Sequence, residues 1–111
     1  MAMLKQEQGV TEQDLDQLSS LFRLLSDKTR LSILLHLAEG ERNVTNLCDE
    51  LGLPQPTVSH HLGLLRMNNV VGNRRHGKQV FYALNGNEND GQNVMAFAVQ
   101  NLAVQVTPRV K

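Results

Sequence analysis

Residues Val44–Met67 read VTNLCDELGLPQPTVSHHLGLLRM, two apolar-periodic runs split by Gly52-Leu53-Pro54. In the first run Val44, Leu47, Cys48 and Leu51 recur at helical spacing, which predicts a short helix over Val44–Leu51. The turn follows at once. Pro56 then stands in the first turn of a second helix, Gln55–Met67, where its missing N–H costs no hydrogen bond. Asn68-Asn69 is a turn signal that ends this helix. Helix, short glycine-containing turn, helix is the helix-turn-helix pattern.

At 3.6 residues per turn, Val58, Leu62 and Leu65 share one side of Gln55–Met67, with His61 beside them. The other side holds Pro56, Ser59, His60 and Gly63, with Thr57 at its edge, and no acid. Such a face suits the major groove, because hydroxyl and imidazole groups reach base edges and a glycine lets the backbone approach. Gln55 supplies an amide of the kind that pairs with adenine, and the helix start favours phosphate. The bland alternative, an ordinary solvated face, would normally carry several Glu or Lys. His61 lies on the core side and is read as a half-buried histidine bonded to backbone rather than as a base contact.

Beyond Asn69 the period falls from 3.6 to 2. Val70–Arg75 and Lys78–Leu84 are rich in Val, Phe and Tyr, predicting a hairpin over 70–84 that turns at His76-Gly77. Arg74, Arg75 and Lys78 crowd its tip. On an isolated hairpin they would be solubilising charges; behind a helix-turn-helix they read as a wing that meets phosphates or sends an arginine into the minor groove. From Leu53 to Leu84 there are four bases (Arg66, Arg74, Arg75, Lys78) and no acid. The chain has 11 bases and 11 acids in all, so the remainder holds 7 bases against 11 acids. A neutral chain polarised in this way points to a polyanion, here double-stranded DNA.

Towards the N-terminus, Thr11 and Asp14 form a capping-box pattern opening a helix over Glu12–Leu25, striped by Leu15, Leu18, Phe22 and Leu25. Ser26 or Asp27 caps a second helix, Lys28–Glu39, whose expected inward stripe is Leu31, Leu34, Leu35 and Ala38, and Gly40 stops it. Towards the C-terminus a polar loop, Asn85–Asn93, leads into an expected last helix of about Asn93–Val106. Met95, Ala98, Val99, Leu102 and Val106 form its stripe, and Pro108 forbids its continuation. The expected fold class is mainly α with a β-hairpin: a single winged helix-turn-helix domain over 1–111, ordered helix, helix, helix-turn-helix, hairpin, helix.

The totals agree with one domain. The chain has 111 residues and is 41% apolar, enough for a modest core. Phe22, Phe81, Phe97 and Tyr82 are its only aromatics, so that core must be Leu and Val. A lone cysteine, Cys48, excludes an intrachain disulfide or a zinc ribbon. Met1–Val10 has Lys5, Gln6, Glu7 and Gln8 where a signal peptide needs an apolar run, and no stretch approaches ~18 apolar residues. The expectation is a soluble, cytoplasmic protein with no membrane partner. No phosphate loop or nucleophile motif occurs, and His60-His61 has no carboxylate or thiol on its own helix, so no enzyme and no catalytic residue is expected.

Four segments together resemble the ArsR/SmtB-type family of repressors: LLSDKTRLSIL at Leu24–Leu34, QPTVSHHL at Gln55–Leu62, Leu64-Leu65-Arg66, and RRHGKQVFYAL at Arg74–Leu84. The likeness runs over about Leu21–Leu84. It implies a homodimer whose first and last helices (11–25 and 93–106) pair across a two-fold. It also implies a palindromic operator read by two helix-turn-helix units (44–67) and their wings, commonly with inducer release. The expected DNA-binding residues are Gln55, Thr57, Ser59, His60, Arg66, Arg74, Arg75 and Lys78. Many members of the family sense metals. The positions of one common site, a Cys-x-Cys pair opening the third helix, hold Asn43 and Thr45 here. Cys48 lies one turn beyond and reads as a core residue. A gapless reading from Tyr82 puts Gly86, Glu88, Val99 and Leu102 at the other common site, and neither His nor Cys follows Gly77. No metal site and no cofactor is therefore expected, a lone cysteine argues against a dithiol switch, and the inducer is unknown. Two alternatives stay open. One is a metal-responsive repressor with an unconventional site involving His36 or Asp90; the other is a winged-helix protein-interaction module.

Overall fold

In the computed structural model, which describes residues 9–86 and 95–109, Thr11 opens the first helix as its spacing to Asp14 predicts. The Thr11 hydroxyl accepts from the Asp14 N–H at 3.1 Å, and the Asp14 carboxylate accepts from the Thr11 N–H at 3.0 Å. Helix α1 spans Glu12–Leu25 and α2 spans Lys28–Ala38, the latter capped by the Asp27 side chain on the Arg30 N–H at 2.9 Å. After a two-residue strand β1 (Arg42–Asn43), the helix pair α3 (Val44–Leu51) and α4 (Gln55–Met67) follows with the boundaries its periodicity implies. Strands β2 (Val71–His76) and β3 (Gln79–Leu84) form the wing, and β1 adds to β3, giving an antiparallel sheet in the order β1-β3-β2.

Helix α2 is the centre of the core. Ile33, Leu34 and Leu37 are at most 1% exposed, and Leu47 of α3, Val58, Leu62 and Leu65 of α4, and Val70 close around them. Burying each such side chain contributes about 1.5–3 kcal/mol, and all three of the α4 residues expected inside are fully covered. Two expected inward residues are not: Phe22 of α1 is 55% exposed and Leu35 of α2 is 52% exposed. Their places in the core belong to Leu21, one residue from Phe22, and to Ile33 and Leu37, two residues either side of Leu35.

The C-terminal segment departs from the expected helix over 93–106. Residues 95–106 form a second hairpin, β4 (Met95–Val99) and β5 (Leu102–Val106), paired from Met95↔Val106 to Val99↔Leu102. The start of the expected helix, Asn93, and most of the loop before it lie outside the described residues. The reason for the difference is local. Met95, Phe97 and Val99 alternate with two alanines, and Leu102, Val104 and Val106 alternate with Ala103 and Gln105. Counting Ala98 as a core residue makes the same letters fit a helical stripe. In the structure Ala98 is exposed, whereas Phe97, absent from that stripe, is 2% exposed and Met95 is 3% exposed. Strand alternation puts Met95, Phe97 and Val99 on one face, and Met95 and Phe97 are buried there.

Asn85 joins this hairpin to the rest. Its carbonyl accepts from the Ala98 N–H at 2.9 Å, its N–H donates to the Val70 carbonyl at 3.1 Å, and its side chain donates to the Asn69 carbonyl at 2.8 Å. The approach is close enough that a Cβ on Gly86, which has φ +71°, would stand 2.9 Å from the Ala98 Cβ. Among the described residues no helix is long and apolar enough to cross a membrane.

Candidate nucleic-acid interface

Helix α4 begins without a side-chain cap. Its N-cap is Pro54, and Pro56 occupies its first turn, so the N–H groups of Gln55 and Thr57 have no side-chain acceptor there. Gln55, Ser59, His60 and Arg66 are exposed, and Thr57 is half-buried at the edge of the same face. Beside the helix start lies a groove of about 200 Å³ whose walls include Gln55, Thr45 of α3, and Lys78 and Gln79 of the wing. The uncapped helix start and the wing tip therefore open onto one surface. Thr45 and Gln79 did not stand out in the sequence; only the pairing of β3 with β1, directly before α3, brings them here.

The wing turns one residue later than expected. His76 pairs with Gln79, so the turn residues are Gly77 and Lys78 rather than His76 and Gly77. Gly77 has φ +64°, the left-handed backbone that a two-residue hairpin turn asks of its first position. Arg75, His76 and Lys78 are exposed.

Arg74 is exposed as well, but it is held. Its Nε and Nη2 donate to the two oxygens of Glu41 at 2.8 and 2.7 Å, a side-on bidentate pair, and its guanidinium lies 5.0 Å from the Phe81 ring centroid. The hydrogen bond from Arg74 holds the Glu41 carboxyl below its ordinary value, and the same bond raises Arg74. The pair sits at the surface, so its contribution to folding is small. Its geometric effect is larger: the middle of wing strand β2 is clasped to the loop before β1.

His61 is half-buried and bonded to a side chain rather than to backbone. Its Nδ1 accepts from Arg30 Nη1 at 3.2 Å. Arg30 also donates from Nε to the Leu24 carbonyl at 2.6 Å and lies 3.9 Å from Asp27. One guanidinium thus connects the end of α1, the start of α2 and the inner side of α4. The hydrogen bond from the Arg30 N–H, followed by the charge of Arg30, keeps Asp27 below its ordinary value.

His36 donates from Nδ1 to the Ser32 carbonyl at 2.7 Å, and Cys48 is half-buried against the core. Among the described residues no three His, Cys, Asp or Glu side chains gather as a cation would require. Asn43 spends its side chain on capping α3 through the Asn46 N–H at 2.7 Å. Val99 and Leu102 face each other across β4 and β5; Glu88 and Asp90 lie outside the described residues. Of these positions, Asn43, Thr45, Val99 and Leu102 carry neither an imidazole nor a thiol.

Residues 27–71 match the family model described as "Bacterial regulatory protein, arsR family". The chain is 45% identical over 64 residues to the HTH-type transcriptional regulator KmtR of Mycobacterium tuberculosis, a match covering 58% of this chain and 49% of that one. It thus spans about half the length of that relative. Among solved structures, the transcriptional repressor BigR from Xylella fastidiosa superposes with a TM-score of 0.64 at 36% identity, covering 76% of this chain and 81% of BigR. The homodimeric winged helix-turn-helix DNA-binding domain Mb0332 from Mycobacterium bovis superposes with a TM-score of 0.61 at 31% identity, covering 76% and 75%.

Proposed function

The chain belongs to the ArsR family of bacterial regulatory proteins, and from that premise we propose that it is a DNA-binding transcriptional repressor that grips a palindromic operator as a homodimer. The observation that supports this most directly is the shared groove of Gln55 and Lys78, where an uncapped helix start meets a basic wing tip and no acid lines the walls. In this reading Gln55, Thr57, Ser59 and His60 face base edges. Arg66, Arg75 and Lys78 meet phosphates, and Arg74 does so once it leaves Glu41. The free N–H groups at the start of α4 take a phosphate oxygen.

Self-association is supported by the α1 stripe, in which Leu15 and Leu18 are half-buried and Phe22 is 55% exposed, and by the homodimeric state of Mb0332. With β4–β5 in place of a last helix, α1 supplies the helical part of that contact. The response is independent of zinc, because the family's common metal positions hold Asn43 and Thr45 at one site and Gly86, Glu88, Val99 and Leu102 at the other, with no His or Cys among them.

Fluorescence anisotropy on the DNA upstream of the protein's own gene, with excess zinc and again with chelator, tests the whole reading. Specific binding that ignores zinc is the expected result. Binding that collapses with zinc contradicts the metal-independent part, and no specific binding in either condition counts against the repressor.

A further inference from the structure

Strands β2 and β5 each lie at the edge of a sheet, and only β2 is guarded. The outer strand β2 carries Arg74 and Arg75, and charged side chains of this kind keep an edge from pairing with another chain. The pair β4–β5 is a separate two-stranded sheet, and among the described residues no backbone hydrogen bond reaches the outer side of β5. Its five residues, Leu102-Ala103-Val104-Gln105-Val106, hold no charge, no proline and no glycine, and their pairing with β4 runs without a bulge. An uncharged, regular edge with β-branched residues is the kind that pairs.

The phase of the β5 edge is set by β4. Residues directly opposite in an antiparallel pair alternate between those that bond each other and those whose backbone groups point outward. The Ala98 N–H leaves the hairpin for the Asn85 carbonyl at 2.9 Å, so Ala98 and the opposite Ala103 point outward. Gln105, two residues on, does the same. Both Ala103 and Gln105 are exposed. The alternate residues Leu102, Val104 and Val106 stand opposite Val99, Phe97 and Met95, on the face that enters the core. Leu102 and Val104 are half-buried there, whereas Val106 is 49% exposed. An apolar row thus runs off the end of the core beside an open backbone edge.

From these observations we propose that β5 pairs antiparallel with β5 of a second copy, with Val104 on the two-fold. The inference rests on the homodimer reading above and names a contact that holds it. In this register Ala103 exchanges both backbone hydrogen bonds with the partner's Gln105, and Gln105 does so with the partner's Ala103. Leu102 lies across from the partner's Val106, so the exposed valine gains an apolar neighbour. A slide of two residues sets Val106 against the turn residue Gln100, or Leu102 against Pro108, and loses that contact. The edge is complementary to itself and carries no charge on either copy, and the related Mb0332 is homodimeric; both favour a second copy over a foreign strand. Two hairpins thereby become one four-stranded sheet.

The test uses the full chain, by sedimentation and by amide hydrogen exchange followed in ¹⁵N spectra over a dilution series. The expected result is a dimer whose Ala103 and Gln105 amides exchange slowly and lose that protection on dilution. Gln105→Pro removes an outward N–H that the hairpin itself does not use, so an open edge tolerates it. It should weaken the dimer at least about tenfold, with the spectrum at low concentration verifying its fold. In a Cys48→Ala background, Val104→Cys should form a covalent dimer with oxidised glutathione, since directly opposed residues of this kind have Cα atoms about 4.5 Å apart. Val106→Cys is the control, because its two copies stand about 13 Å apart along the strands. A dimer with fast-exchanging Ala103 and Gln105, or one indifferent to Gln105→Pro, overturns the strand pairing and leaves the homodimer to α1. Covalent dimers that form equally well at 104 and 106 overturn the register. A monomer overturns the homodimer reading as well, and slow exchange in that monomer means that the chain covers its own edge.

Discussion

The wing and the C-terminal hairpin share a backbone form, two antiparallel strands closed by a two-residue turn, and are put to opposite uses. In β2–β3 only the root is buried, through Val71 and Leu84, and every residue from Asn73 to Gln79 is exposed, three of them bases. In β4–β5 no charged residue occurs between Met95 and Val106, and Met95 and Phe97 go into the core. The difference teaches that the chemistry of the alternate positions, rather than the hairpin itself, decides whether such an element leaves the domain or closes it. The turns differ in the same sense. Gly77 takes left-handed backbone freely, whereas Gln100 takes it at a cost of roughly 1–2 kcal/mol, tolerated where packing holds the strands on either side.

The strongest way to break this comparison is Phe97→Ala. If β4–β5 belongs to the core, the loss of this nearly covered ring costs about 3–5 kcal/mol, read as a fall in the denaturant midpoint. A cost below ~1 kcal/mol would place the hairpin outside the cooperative unit. Next in size, Arg75→Ala at the wing should leave the thermal midpoint unchanged, weaken operator binding about tenfold and flatten the salt slope by about one unit. Salt-series anisotropy measures both, and an unchanged slope removes Arg75 from the phosphate contacts.

Gln100→Gly sharpens the comparison of the turns. Relief of left-handed backbone, less the extra freedom of an unfolded glycine, should raise stability by about 0.5–1 kcal/mol in a chemical melt. The smallest effect concerns Glu41. Its folded value is depressed, so the stability it adds is complete above the ordinary glutamate value of 4.5 and is lost as pH falls through the lower folded value. Glu41→Gln should abolish that small acid-range loss in thermal melts. By freeing Arg74 it should also tighten DNA binding about threefold; weaker binding would mean that the clasp orients Arg74 for DNA rather than detaining it.

Four helices and the wing were legible because each combines periodicity with a local stop or start signal: Thr11 with Asp14, Asp27, Gly52, Pro56 and Asn68. The exposed face of α4 was legible for the same reason, since burying Val58, Leu62 and Leu65 leaves Ser59 and His60 no other side to occupy. The last element was not, because alanine is indifferent to burial and Met95–Val106 satisfies both periods. The Glu41–Arg74 and Arg30–His61 contacts were equally hidden. Their partners are 33 and 31 residues apart, and only the strand order and the α2–α4 packing bring them together.

The exposure of the wing beyond its root has a consequence for how such proteins diversify. The tip holds no core residue, and its turn is already built on a glycine, so pairs of residues added around Gly77-Lys78 lengthen the ladder without disturbing Val71, Leu84 or anything beneath them. Loop closure penalises such insertions weakly, by about 0.6 kcal/mol per doubling of length. The reach of the molecule along a duplex is therefore a dimension that can drift or be engineered separately from its fold, while the spacing between α4 and the core stays as it is.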